Sequence, residues 1–136
     1  MIDHETELLV PFHDVDPMGI VWHGHYLKYF EVARCELLNV FEFGYMEMAD
    51  SGYAWPVIDT RIKFIQPLRF DQRIIVTSTL KEWDYRLKID YVIRDKENGQ
   101  RLTRGYTIQA ALDRTTNELC LPLPEIVKTK LAKLDK

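Results

Sequence analysis

Cysteine is scarce in this chain of 136 residues, which contains only Cys35 and Cys120. The two lie far apart and form no CxxC pair, so the sequence predicts neither a disulfide framework nor a zinc knuckle. Both are expected to be buried thiols. Long apolar runs are also missing, since no segment approaches the roughly 18 consecutive apolar residues of a membrane span. The first ten residues, MIDHETELLV, carry acids where a signal peptide has positive charge. We therefore expect a cytoplasmic protein without membrane insertion.

An excess of positive charge is absent as well. The chain has 18 Lys and Arg residues against 21 Asp and Glu, which gives a formal net charge of -3 at pH 7. Phosphate binding over a broad surface depends on clustered, excess Lys and Arg, so no nucleic-acid partner is expected. Repeats and interdomain linkers are not visible. Length and a hydrophobic fraction of 46% predict one globular domain over residues 1–136.

The remaining pattern predicts one long helix among five strands. Apolar residues recur at steps of three or four from about Gly24 to near Gly44, and aromatic residues off this stripe indicate that more than one helix face is covered. The stripe consists of Leu27, Phe30, Ala33, Leu37 and Phe41. Segments rich in Ile, Val, Thr and Tyr predict strands at 5–12, 57–65, 72–82, 85–95 and 101–112. Asn98-Gly99 predicts a hairpin turn, and Pro122 and Pro124 are expected to end the last strand. This order is typical of an α+β domain in which an antiparallel sheet curls around a central helix, as in the hotdog fold.

The segment DVDPMGIVWHGHYLKYFEVAR, residues 14–34, resembles the signature of the hotdog acyl-CoA thioesterases related to 4-hydroxybenzoyl-CoA thioesterase. The positions that match are Asp14, Asp16, Gly19, Val21, His23, Tyr26, Glu31 and Arg34. The similarity continues through residues 62–76 and 104–113. The resemblance implies the hotdog fold and hydrolysis of acyl-CoA. It also implies a homodimer or a homotetramer made of two dimers, joined edge to edge through their sheets.

Thioester hydrolysis needs a group that attacks or activates water and a donor for the oxyanion that develops on the carbonyl. Carboxylates are ionised at neutral pH, so Asp16 can act as nucleophile or as general base. The N–H groups at the start of the helix, at His23 and Gly24, carry partial positive charge. The resemblance implies the same roles for the Asp16 carboxylate and the His23 amide, with a further role for the His23 side chain. No metal or organic cofactor is expected.

Several neighbouring residues also have structural explanations. Asp14 is expected to cap a turn through backbone amides, and Gly19 to allow the loop to turn. Glu31 and Arg34 are three apart on the helix and are expected to form an ion pair, with Glu31 contributing indirectly to the site. Gly19, Val21, Gly24, Tyr26 and Glu31 remain candidate substrate-binding residues.

A metal site is the alternative for the same loop. Its possible zinc ligands are His13, Asp14, Asp16, His23 and His25. His23 and His25 are two apart, however, so on a helix they point in different directions and do not converge on one ion.

The head group of coenzyme A carries phosphates, which an acidic protein must bind with local cations. Arg61 and Lys63 share one face of a strand, as do Arg86 and Lys88. Each pair could bind the head group or could equally be a solvated surface. The family often has asparagine directly before the tyrosine at Tyr26, whereas this chain has His25, so the acyl group stays open. Two other functions also stay open: an acyl-ACP thioesterase using the same residues, and a non-catalytic acyl-CoA-binding hotdog protein.

Overall fold

The computed structural model describes residues 2–132, so the predicted domain, residues 1–136, extends past the described part at both ends. The strands are β1 Ile2–Leu9, β2 Tyr53–Ala54, β3 Val57–Phe64, β4 Arg73–Glu82, β5 Leu87–Asp95, β6 Arg101–Gln109 and β7 Leu112–Asp113. The helices are α1 Tyr26–Val40, α2 Tyr45–Asp50 and α3 Glu125–Ala132. Within residues 2–132 no helix is long and apolar enough to cross a membrane.

Five of the strands form one antiparallel sheet in the order β1-β4-β5-β6-β3. The short strands β2 and β7 form a separate antiparallel pair. The predicted turn at Asn98-Gly99 joins β5 to β6, and the long helix α1 contacts β1 and β4. The predicted α+β hotdog arrangement, a sheet curled around a long helix, is therefore confirmed.

Helix α1 packs on the sheet through an aromatic contact at its centre. The Phe30 ring stacks on the Tyr91 ring of β5 with centroids 4.3 Å apart, and both side chains are buried. Gly105 on β6 makes this approach possible, because a Cβ there would overlap the Arg61 carbonyl oxygen and press on the Phe30 ring. The helix can therefore approach the sheet this closely because Gly105 has no side chain.

The helix begins within two residues of its predicted start, but its predicted end was wrong. A short 3-10 turn, His23–His25, precedes α1, which begins at Tyr26 and ends at Val40 instead of near Gly44. It ends there because the amides of Phe41 and Phe43 both turn back to the Leu38 carbonyl, and Glu42 adopts a positive φ of 57°.

The covered side of α1 also differs from the prediction. Leu27 was predicted to join the buried stripe but is 45% exposed, because Tyr26 and Tyr29 occupy the buried positions of the first turns. The opposite face remains uncovered within residues 2–132, with Val32 and Val40 exposed.

The other differences concern short elements and cysteines. The first strand was expected at 5–12 but pairs with β4 over Ile2–Leu9, and Pro11, which lacks an N–H, follows it. The last predicted strand divides into β6 and β7 because the Ala110 amide donates to the Pro56 carbonyl outside the sheet. The second of these strands, β7, ends at Asp113, well before the two prolines at 122 and 124 that were expected to end it. The elements α2, β2 and α3 were not predicted.

The expectation of buried thiols was also wrong. Cys35 is exposed on the outer side of α1, and Cys120 is half-buried in a loop.

Candidate active site

A cleft of about 390 Å³ lies where the loop before α1 meets the end of β3. Four of the predicted site residues line it together, namely Asp16, Val21, His23 and Tyr26. Apolar and amide side chains complete it, including Trp22, Phe64, Ile65 and Gln66. The loop and the start of the helix are thus brought to one side of the molecule.

The Asp16 carboxylate takes part in the turn and also reaches the cleft. Its Oδ1 atom accepts the Met18 amide at 2.8 Å and, more weakly, the Ile20 amide at 3.4 Å. Gly19 adopts a φ of +83°, which favours glycine, and donates its amide to the Asp16 carbonyl. The Oδ2 atom has no hydrogen-bond partner among the described residues. One oxygen of the half-buried carboxylate is therefore fixed while the other remains available.

The start of the helix presents unbonded amides. Within the described part of the chain, neither the His23 nor the Gly24 amide donates to a protein acceptor, whereas the His25 amide donates to the Trp22 carbonyl at 3.0 Å. Such amides carry the partial positive charge of a helix N-terminus. The His23 side chain is exposed, and its ring lies 5.0 Å from that of Trp22. Gly24 lies directly against the Trp22 ring.

Asp14 does not cap a turn through backbone amides, and that prediction was wrong. Its carboxylate is buried and accepts the Lys28 ammonium at 2.6 Å and the Tyr29 hydroxyl at 2.7 Å. Burial would raise the pKa of Asp14, but the hydrogen bonds from Lys28 and Tyr29 outweigh it and hold that pKa below its usual value. The Asp14 carbonyl also accepts the Trp22 amide at 3.1 Å. Asp14 therefore connects the loop to the first turns of α1.

The two tyrosines of the first turns are uncharged hydrogen-bonding groups, and Tyr26 also lines the cleft. Burial, with the Asp14 hydrogen bond, raises the pKa of Tyr29, so its hydroxyl stays a donor. Burial likewise raises the pKa of Tyr26, whose hydroxyl oxygen accepts the Leu68 amide at 3.3 Å. The Tyr26 ring meets the Phe64 ring edge-on at 4.8 Å.

Lys28, Tyr29 and Phe64 were not assigned to the site from the sequence. Their contacts join segments far apart in the chain, and no local spacing signals such contacts.

The ion pair expected within the motif does not form. Glu31 and Arg34 line another cleft and form no ion pair with each other in the region that the structure describes. His13 and His25 each approach the Asp14 carboxylate to only 3.8 Å. No group of three or more His, Cys, Asp or Glu residues able to hold a metal ion occurs between residues 2 and 132.

The predicted cations separate into two places. Arg61, Lys63 and Lys88 line one cleft of about 380 Å³ on the outer face of the sheet. Arg101 and Arg104 join them there, and the Lys88 ammonium lies 4.8 Å from the Tyr106 ring centroid. Arg86 lies outside this cleft and pairs with Glu82 at 2.8 Å. We refer to the cleft around Arg61, Lys63 and Lys88 as the basic outer cleft.

Comparisons with known proteins agree with this architecture. The sequence profile of the Thioesterase-like superfamily matches residues 10–131. A candidate acyl-CoA thioesterase of Bacillus subtilis is 27% identical over 122 residues, covering 86% of this chain and 78% of that protein. The DHNA-CoA thioesterase from Staphylococcus aureus is 25% identical with a TM-score of 0.84, covering 99% of this chain and 94% of that chain. A 1,4-dihydroxy-2-naphthoyl-CoA thioesterase from Synechocystis shares the fold, with a TM-score of 0.87 at 24% identity and coverage of 98% of both chains.

Proposed function

Because the chain belongs to the Thioesterase-like superfamily, we propose that it hydrolyses acyl-CoA thioesters to free coenzyme A and a carboxylic acid. One observation carries this proposal: Asp16, with one carboxylate oxygen unbonded, lines the same cleft as His23, whose amide is also unbonded. A carboxylate and an amide donor are the two groups that thioester hydrolysis requires. The proposed mechanism uses neither a metal nor an organic cofactor.

The His23 amide, with the adjacent Gly24 amide, would donate to the thioester carbonyl oxygen and stabilise the negative charge that develops there. Asp16 would take a proton from water as the water oxygen bonds to the carbonyl carbon. The tetrahedral intermediate then releases the thiolate as the C–S bond breaks, and the thiolate is protonated.

Alternatively, Asp16 attacks the carbonyl carbon itself and water hydrolyses the resulting anhydride. Single turnover in ¹⁸O-labelled water tests for this second route, because label in the Asp16 carboxylate identifies attack by Asp16 followed by hydrolysis at the aspartyl carbonyl carbon.

The basic outer cleft is a suitable site for the head group of coenzyme A. Successive residues of a strand point to opposite faces, so Phe64 reaches the cleft that Asp16 and His23 line, here called the catalytic cleft, while Lys63 reaches the basic outer cleft. A pantetheine arm passing around the C-terminal end of β3 would connect the two clefts. Arg61, Lys63 and Lys88 would then meet the phosphates, whereas the ion pair of Arg86 with Glu82 would hold Arg86 apart.

We also propose that two copies of the chain associate through β3. This strand forms one edge of the sheet and exposes Val57 and Ile58, and an open edge of this kind can pair with another strand. The result would be a homodimer or a homotetramer of two dimers. Light scattering at micromolar concentration tests this, and a 16.1 kDa monomer that turns over substrate would contradict it.

The test of function is a thiol-release assay with short, long and aromatic acyl-CoA substrates, together with acyl-ACP. We expect at least one acyl-CoA to release thiol and free acid in equal amounts. Release from acyl-ACP alone would identify an acyl-ACP thioesterase instead. Thermal stabilisation by acyl-CoA without any thiol release would identify a non-catalytic binding protein.

A further inference from the structure

Three successive residues at the end of β3 line the catalytic cleft, namely Phe64, Ile65 and Gln66. Side chains alternate between the two faces of a regular strand, so a regular continuation of β3 would turn one of the three away. The strand is irregular here, because the amides of Ile65 and Gln66 both donate to the Leu102 carbonyl oxygen, at 3.0 and 2.9 Å. Two residues opposite one form a β-bulge, which redirects side chains and is common beside active sites.

The backbone of Gln66 is held in place, whereas its side chain is not. The Gln66 amide is bonded to Leu102, and Pro67 follows, which restricts the residue before it to extended conformations. The Gln66 side chain is exposed and has no hydrogen-bond partner within residues 2–132. Its amide group can therefore bind a molecule in the cleft without losing a hydrogen bond within the protein.

The proposed hydrolysis needs a second acceptor for the attacking water. A water molecule has two protons, and Asp16 Oδ2 takes one of them. The backbone amides at the start of the helix are donors, and the Tyr26 hydroxyl oxygen already accepts the Leu68 amide at 3.3 Å. Among the side chains that line the cleft, the remaining acceptors are the Gln66 carbonyl oxygen and the His23 imidazole.

The His23 imidazole is the less suitable of these two acceptors. Its ring is exposed and lies against the Trp22 ring, with centroids 5.0 Å apart. A neutral imidazole accepts through only one nitrogen and loses that acceptor when it is protonated. The side-chain carbonyl oxygen of Gln66 keeps two lone pairs in both cases.

We propose that Gln66 orients the attacking water, an assignment that rests on the proposed hydrolase function. The Gln66 Oε1 atom accepts a hydrogen bond from one proton of the water while Asp16 Oδ2 removes the other, so a lone pair of the water oxygen faces the carbonyl carbon. As the C–O bond forms, the proton bonded to Gln66 stays on the water oxygen and becomes the acid proton of the product. If Asp16 attacks first, Gln66 orients the water that hydrolyses the anhydride.

The variant that tests this role is Gln66→Leu, which removes the acceptor and keeps a side chain of similar size. In the thiol-release assay kcat should fall about 10- to 100-fold, because misplaced reacting groups cost this order of rate. The KM should change less than about twofold, since the lost contact is to water and not to substrate. Gln100→Leu makes the same change at an exposed position between β5 and β6 and should keep wild-type kcat. A raised KM with unchanged kcat would mean that Gln66 binds substrate, and the proposal would be wrong.

Competition between water and hydroxylamine distinguishes lost water orientation from general damage to the site. Hydroxylamine is a much stronger nucleophile than water, so its attack depends less on orientation by Gln66. The ratio of hydroxamate to free acid, corrected for the reaction without protein, should therefore rise in Gln66→Leu as hydrolysis falls. Damage to the whole site would slow both reactions alike, so an unchanged ratio would overturn the proposal.

The same assays distinguish failure of this assignment from failure of the proposed function. An active wild type together with near-normal kcat in Gln66→Leu would overturn the role of Gln66 and leave the hydrolase function in place. A wild type that releases no thiol from any acyl-CoA would overturn both.

Discussion

The loop before α1 carries two carboxylates only two residues apart, and their surroundings are opposite. Asp14 is buried and holds two side chains of α1, Lys28 and Tyr29. Asp16 is half-buried, bonds only to amides of its own loop and lines an open cleft. Both of the donors that hold Asp14 come from another element, whereas both donors to Asp16 are local.

The two carboxylates differ in what their surroundings allow: one is held in the fold, and the other is available to react. A buried carboxylate with all its partners in place stabilises the fold but has no room for substrate. A carboxylate with one unbonded oxygen on a cleft can take a proton or attack a carbonyl. Residue type alone does not distinguish the two aspartates, whereas their hydrogen-bond partners do.

The largest expected effect is on turnover when Asp16 loses its charge. Asp16→Asn keeps the size and the turn hydrogen bonds, so thiol release should show kcat reduced by at least ~10²-fold with folding intact. Asp3→Asn, an exposed aspartate on β1, is the matched control and should behave as wild type. Near-normal kcat in Asp16→Asn would show that Asp16 is not the base. Loss of wild-type activity with a chelator, restored by zinc, would favour the metal site instead.

The next effect is on stability when Asp14 loses its charge. Asp14→Asn replaces a buried carboxylate that accepts two hydrogen bonds with an amide, whose NH₂ group adds buried donors. The free energy of unfolding should therefore fall by about 1–3 kcal/mol. We expect kcat to fall by less than tenfold at temperatures where the variant is folded. Urea unfolding and thiol release measure the two quantities. A stable Asp14→Asn variant with kcat as low as Asp16→Asn would reverse the roles of the two carboxylates.

The sequence predicts the parts of this comparison that depend on local pattern. The order of the main strands along the chain and the position of α1 follow from periodicity, and Asp16, His23 and Tyr26 of the motif line one cleft. The partners of Asp14 could not be predicted in this way. Lys28 and Tyr29 lie on the next element of the chain, in the first turn of α1, and a turn aspartate and a buried one look alike in sequence.

The short elements were missed for a related reason. Helix α2 and strand β2 are too short for a periodic pattern to appear, and contacts with the rest of the fold hold them in place. The separation of Arg86 from Lys88 has a similar origin. Alternation predicts a shared strand face, but β5 begins only at Leu87, so Arg86 lies in the preceding turn and pairs with Glu82.

The environment of Asp14 should also have a smaller effect, on the free energy of unfolding at acid pH. The pKa of Asp14 lies below its unfolded value, so its contribution to stability is present above the unfolded pKa and is lost as pH falls through the folded pKa. The free energy of unfolding should therefore decrease below about pH 4. Glu7 and Asp95 also have lowered pKa values and contribute with the same sign. The decrease should accordingly be reduced, not abolished, in Asp14→Asn. Parallel curves for the two proteins would contradict this account.

The smallest expected effect is on KM for acyl-CoA and involves residues outside the loop. It tests whether the basic outer cleft binds the head group without affecting the catalytic step. Arg61→Gln with Lys63→Gln should raise KM for acyl-CoA about 3- to 10-fold and leave kcat nearly unchanged, because head-group contacts are equal in ground and transition states. The increase should shrink with added salt. Arg86→Gln should leave KM unchanged, since Arg86 is paired with Glu82 away from this cleft. If Arg86→Gln raises KM and the double variant does not, the phosphates bind near the turn before β5. A matched fall in kcat in the double variant would instead connect the outer face to the positioning of Asp16.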